Sequence, residues 1–87
     1  MILSTRFTTA LSIATELHVY QERKGKGEPY VAHLLAVTSL VLENGGTEDE
    51  AIGALLHDAA EDAGGYAQLA DIEARFGPNV SAIVHGC

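Results

Sequence analysis

From Tyr30 to Glu43 the chain carries apolar side chains on nearly every side of a helix: Val31, Leu34, Leu35, Val37, Leu40, Val41 and Leu42. A helix without a broad polar face has to be covered by neighbours on several sides. The segment therefore predicts a helix at the centre of the core, with the rest of an 87-residue chain arranged around it. Pro29 suits the N1 position of that helix. Asn44-Gly45-Gly46 ends it with residues that tolerate left-handed backbone. A chain of this length makes one small domain, and it buries only about 60–65% of its unfolded surface.

The covering elements are also legible. Thr5 to Glu22 reads as a helix, with Phe7, Leu11, Ala14 and His18 on one line and Ala10 and Leu17 beside it. Ser4 is the expected N-cap. His18 falls on the apolar side, which predicts a hydrogen-bonded core histidine. Thr47 and Glu50 form a capping box, which starts a further helix predicted from Glu48 to Ala63, roughly 24 Å long. Gly64-Gly65 stops it. A short helix follows from Leu69 to Phe76, with Ile72 and Phe76 as packing residues and Gly77 after its end. Pro78 opens a last helix on Val80, Ile83 and Val84. No strand-like alternation, repeat or low-complexity tract interrupts this pattern, so the fold class is all-α.

The polar chemistry gathers at Ala54-Leu55-Leu56-His57-Asp58-Ala59-Ala60-Glu61-Asp62. At about 100° per residue, His57, Asp58, Glu61 and Asp62 share an arc of about 140°. Leu55, Ile52, Ala59, Ala63, Leu56 and Ala60 take the opposite arc. Ala51 and Ala54 lie on the polar side and are small enough to leave room for a bound group. The acids sit near a helix C-terminus, where the macrodipole disfavours them. No Lys or Arg is spaced to pair with them. A bound cation resolves both problems, and imidazole nitrogen with carboxylate oxygen suits Mn, Fe, Zn or Mg. His33, in the first turn of the apolar helix and in line with Tyr30, Val37 and Leu40, is a core histidine by itself. It becomes a candidate ligand if the two helices meet.

Three of the five Lys and Arg fall at Arg23, Lys24 and Lys26, beside Gly25 and Gly27. A cationic glycine-rich loop in an acidic protein suits phosphate contact. The same residues also suit the solubilising end of a helix. The net charge of −7 excludes general nucleic-acid binding, which needs a basic footprint. No apolar run reaches 18 residues, so no transmembrane helix is expected. The N-terminus lacks a basic region ahead of a long apolar core, so no signal peptide is expected either. The single cysteine, Cys87, cannot form an internal disulfide and fits a reducing, cytoplasmic setting.

Gln21-x-Arg23-Lys24, Pro29-Tyr30-Val31-x-His33-Leu34 and His57-Asp58-x-x-Glu61-Asp62, in that order, resemble the HD-domain metal-dependent phosphohydrolases. Within them they look like the hydrolase domain of the RelA/SpoT type, including its small alarmone hydrolases. The resemblance implies an all-helical HD-domain bundle and one divalent metal, typically Mn. It makes His33, His57 and Asp58 metal ligands, and Glu61 and Asp62 the pair that positions and activates the attacking water. It makes Arg23 and Lys24 contacts to the guanine nucleotide, and the reaction removal of the 3′-pyrophosphate from (p)ppGpp. The family's fourth ligand, an Asp on a later helix, has no counterpart, since the last Asp is Asp71. Residues 1–87 are thus expected to be the N-terminal part of a single HD domain, apparently truncated. The substrate is a nucleotide or another phosphorylated small molecule, with no DNA, RNA or membrane partner. Self-association is expected where apolar surface lacks a cover. Two rival readings stand beside this one: an HD hydrolase of a different phosphorylated substrate, and a non-catalytic remnant or helical interaction module.

Overall fold

The computed structural model describes residues 2–23, 25, 27–58 and 65–86, with the backbone alone described for residues 65–69. Among the described residues the chain forms five helices: α1 (Thr5–Leu17), α2 (Tyr30–Glu43), α3 (Glu48–Leu56), α4 (Gly65–Phe76) and α5 (Pro78–His85). Helices α1, α2 and α5 each pack on α3, and α4 packs on α5.

The centre of the bundle is α3, not the uniformly apolar α2. Every residue from Ala51 to Leu56 is buried. In α2 only Leu34 and Thr38 are buried, while Leu35 and Leu40 remain 46% and 59% exposed. Side-chain size explains the exchange. A helix apolar all round has no preferred side to bury, so its position depends on how closely others can approach. Helix α3 presents Ala51, Gly53 and Ala54, and neighbours close in on it from several directions. At Gly53 an added Cβ would lie 2.5 Å from Ile83 Cγ2, so only glycine lets α5 come this near. Ala10 and Ala14, both fully buried, play the same part on α1. Ala51 is therefore packing material and leaves no room for a bound group.

The ends of α3 are built differently. At its start the Thr47 side chain accepts the Glu50 N–H at 3.1 Å, and Glu50 accepts the Thr47 N–H at 2.8 Å. Glu48, Asp49 and Glu50 in the first turn complement the helix dipole. Arg6 of α1 reaches Glu48 Oε1 at 3.3 Å and Asp49 Oδ1 at 2.9 Å, and donates to the Phe76 carbonyl at 2.7 Å. Asn79 of α5 donates to Asp49 Oδ2 at 2.9 Å. One arginine thus fastens α1 to the start of α3 and the end of α4. Ser4 caps α1 by accepting the Arg6 N–H and also donates to Glu48. These contacts hold the Glu48 carboxyl below its ordinary range, chiefly through the Ser4 backbone N–H and hydroxyl and then through Arg6. Asp49 is lowered as well, first by Asn79 and then by Arg6.

Several boundaries differ from the expected ones. Helix α1 ends at Leu17 rather than Glu22, because the chain turns to place Glu22 opposite Pro29 in an antiparallel bridge. Pro29 is the N-cap of α2 rather than its N1 residue. Helix α3 ends at Leu56, and His57 and Asp58 follow in a turn; residues 59–63 of the expected helix lie outside the described residues. Helix α4 begins at Gly65, four residues before the expected Leu69. Gly45 and Gly77 do take positive φ, as their places after α2 and α4 require.

Candidate metal centre

Two helix ends meet at the site. The first turn of α2 supplies Tyr30 and His33, three residues apart and so on one face. The turn after α3 supplies His57 and Asp58. His57 still has right-handed helical backbone, with φ −60° and ψ −28°, and its Nδ1 lies 2.6 Å from the Ala54 carbonyl. That contact requires a proton on Nδ1, which donates, and Nε2 is the ring nitrogen that faces Asp58. Nε2 is 3.2 Å from Asp58 Oδ2. The His33 and His57 rings stand edge to face with centroids 5.7 Å apart.

One ligand atom from each of His33, His57 and Asp58 lies within 4.8 Å of the others. Three atoms so spaced have a common point no more than about 2.8 Å from each, against ligand bonds of about 2.0–2.2 Å. Side-chain torsions close a difference of that size without moving the helices. Two imidazoles and a carboxylate are a borderline donor set suited to a first-row divalent ion. The Nδ1 contact to Ala54 supplies the outer hydrogen bond that fixes a ligating histidine's tautomer. The residues present therefore fit a metal ion. His57 and Asp58 are partly shielded, with 19% and 15% of their side chains exposed.

Arg23 is exposed on the loop between α1 and α2. The base of that loop is tied by Arg23 N–H to Glu28 O at 2.8 Å and Tyr30 N–H to Gln21 O at 2.7 Å. Gly25 and Gly27 within it take φ of 94° and 75°, a backbone only glycine adopts readily. Lys24, Glu61 and Asp62 lie outside the described residues. His18 is the buried, hydrogen-bonded core histidine expected: it is 2% exposed, with Nδ1 2.7 Å from Gln21 Oε1. Beside the centre, a cavity of about 630 Å³ between α2, α3 and α5 is lined by Val37, Val41, Ala54, His57 and Ile83, with Thr47, Glu50 and Asn79 as its polar part. Ala54 does border open space, unlike Ala51.

Tyr30 is the contact that the sequence reading did not assign. Its hydroxyl donates to Asp58 Oδ2. The shared face of Tyr30 and His33 was the available signal, but nothing in the spacing says which residue lies across from it.

An all-helical bundle with a histidine on one helix and a His-Asp pair on the next defines a class, and the comparisons with known proteins agree on it. The chain belongs to the HD-domain family, whose sequence model, described as "HD domain", matches residues 10–87. Its relatives narrow the branch to the RelA/SpoT type. The chain is 40% identical over 77 residues to a guanosine-3′,5′-bis(diphosphate) 3′-pyrophosphohydrolase of Aquifex aeolicus, covering 88% of this chain and 11% of that protein. It is 37% identical over 84 residues to the Drosophila melanogaster protein of the same name, covering 93% and 46%. A solved structure of a metazoan orthologue of SpoT, described as hydrolysing ppGpp, superposes with a TM-score of 0.86 at 33% identity, over 98% of this chain and 48% of that one. The chain thus spans half or less of the length of each of these relatives.

Proposed function

We propose that this chain forms the N-terminal part of an HD-domain phosphohydrolase that removes the 3′-pyrophosphate of guanosine-3′,5′-bis(diphosphate). The observation that carries the reading is the convergence of His33, His57 and Asp58 on one point. The names of the relatives supply the substrate class. In this reading the three residues hold one divalent ion, with Mn as the preferred occupant. Bound there, such an ion lowers the pKa of a coordinated water and neutralises phosphoryl charge.

The chain's own groups do the remainder. Glu61 and Asp62, three and four residues beyond Asp58, are assigned to orient the attacking water and take its proton. Arg23 and Lys24 are assigned to the guanine nucleotide and its phosphates, where charge-assisted hydrogen bonds are strongest. The orientation of the His57 ring is held by its Nδ1–Ala54 bond, which keeps Nε2 on the side of Asp58. A fourth carboxylate ligand is assigned to sequence corresponding to the remaining half of the structural relative, of which this chain covers 48%. The acidic net charge and the cytoplasmic setting expected for a nucleotide hydrolase are parts of the same proposal.

The test is pyrophosphate release from ppGpp by the purified chain with Mn, beside a His57→Ala control. Slow release is expected, well below the usual turnover of about 1–1,000 per second, dependent on Mn and lost in the control. Release that survives the His57 substitution would refute the assigned site. Preference for a different nucleotide would move the reading to another branch of the HD hydrolases.

A further inference from the structure

The Asp58 carboxylate sits in a turn rather than within the hydrogen-bonded body of α3, so the helix does not by itself fix its direction. A ligand on such a segment needs a second group to hold it. The structure places one there. Tyr30 donates its hydroxyl to Asp58 Oδ2, and its ring stands 5.6 Å from His33. Tyr30 therefore touches both halves of the centre while belonging to neither ligand set.

Tyr30 is itself held from behind. The His18 ring packs against it with centroids 5.0 Å apart and a 36° tilt. His18 is buried and anchored to the Gln21 side chain, and the Gln21 carbonyl accepts the Tyr30 N–H at 2.7 Å. Gln21, His18 and Tyr30 make a continuous brace running from the end of α1 to the Asp58 carboxylate. It also explains why a polar ring is buried at position 18, which no catalytic role requires.

We propose that Tyr30, braced by His18, is a positioning residue for the metal centre: its hydroxyl fixes the rotamer of Asp58, whose other lone pairs would be free to hold a bound ion. The inference rests on the metal-centre reading above. An outer hydrogen bond of this kind typically changes metal affinity by about 10–100-fold when removed. It restricts the ligand before the ion arrives, so its loss shows in binding even when the fold is unchanged.

The experiment is titration of the chain with Mn, read by the loss of the free-ion electron paramagnetic resonance signal, for the unsubstituted chain and for Tyr30→Phe. Phenylalanine keeps the ring against His18 and removes only the hydroxyl. Binding at least about tenfold weaker is expected, with helicity and metal-free melting temperature retained. Equal affinity in the two chains overturns the proposal, as does a loss of melting temperature with affinity intact, which marks a merely structural hydroxyl. A second measurement covers a variant that fails to fold. In a chain carrying Tyr20→Phe and Tyr66→Phe, Tyr30 is the remaining tyrosine. Its near-UV absorbance should shift as Mn binds, because the charge on the hydroxyl's acceptor is partly neutralised; an unchanged spectrum during saturation overturns the proposal. No Mn binding by the unsubstituted chain overturns the metal-centre reading and this inference with it, and so is distinct from failure of the inference alone.

Discussion

Gly53→Ala tests the reason why α3, rather than α2, is the centre of the bundle. In the interior of an ordinary helix this change stabilises by about 1 kcal/mol, because alanine loses less backbone freedom on folding. Here the added Cβ would meet Ile83 Cγ2 at 2.5 Å and Ile83 Cβ at 3.2 Å. Rotating Ile83 relieves the first contact, since that side chain borders the cavity beside His57. Rotation leaves the second contact tight, so α5 must also shift by a few tenths of an ångström. Overpacking of this kind costs about 1–3 kcal/mol. Against the propensity gain, a net loss of about 1 kcal/mol is expected, or a fall of about 4–8 °C in melting temperature for a domain of this size. Circular dichroism melts of Gly53→Ala, Ile83→Ala and the double variant give the coupling. The coupling should be partial, because Ile83→Ala removes Cγ2 but keeps the Cβ that the new methyl group meets at 3.2 Å. A Gly53→Ala chain that melts higher than the parent would refute the claim that close approach of α5 demands glycine.

Arg6→Ala should lower stability by about 1–2 kcal/mol, allowing for the solvent screening of a side chain 39% exposed, since it frees Glu48, Asp49 and the Phe76 carbonyl together. Chemical denaturation measures it directly. Glu48 and Asp49 have folded pKa values below their ordinary ones, so their contribution is complete above pH 4.5 and disappears as the pH falls through the lowered values. Melting temperature should therefore drop on acidification below that point. Asn79→Ala should shrink the Asp49 part of that drop, because Asn79 is the largest cause of its shift. Leu35 and Leu40 leave α2 with exposed apolar surface. Sedimentation should show self-association of the chain that falls when both are replaced by Ser.

The helices were readable because their punctuation is local. Ser4, the Thr47–Glu50 box, Gly45 and Gly77 each act on backbone within a few residues, and all appear where the sequence places them. The three ligand candidates were readable because their types and order are distinctive. What was not readable depended on residues far apart in the chain. Nothing near Tyr30 to Glu43 reveals that a helix with smaller side chains would displace it from the centre. Arg6, 42 residues before Glu48 and 70 before Phe76, carries no local sign of its role. The early end of α1 has a nearer cause: the Glu22–Pro29 bridge and the His18–Gln21 contact turn the backbone away from a helix that local propensity allowed. Helix α3 likewise ends before His57, although helical spacing had put His57 and Asp58 on the arc that drew attention to them.

The most direct measurement of the central claim is the stoichiometry of Mn binding to the chain and to its His33→Ala, His57→Ala and Asp58→Ala variants. Isothermal calorimetry with the metal alone needs no substrate and no turnover. One ion per chain is expected, with binding lost or greatly weakened in each of the three variants while their helicity persists. Saturable 1:1 binding that survives all three substitutions, or its absence from the folded parent chain, would contradict the assignment of His33, His57 and Asp58 as one metal centre.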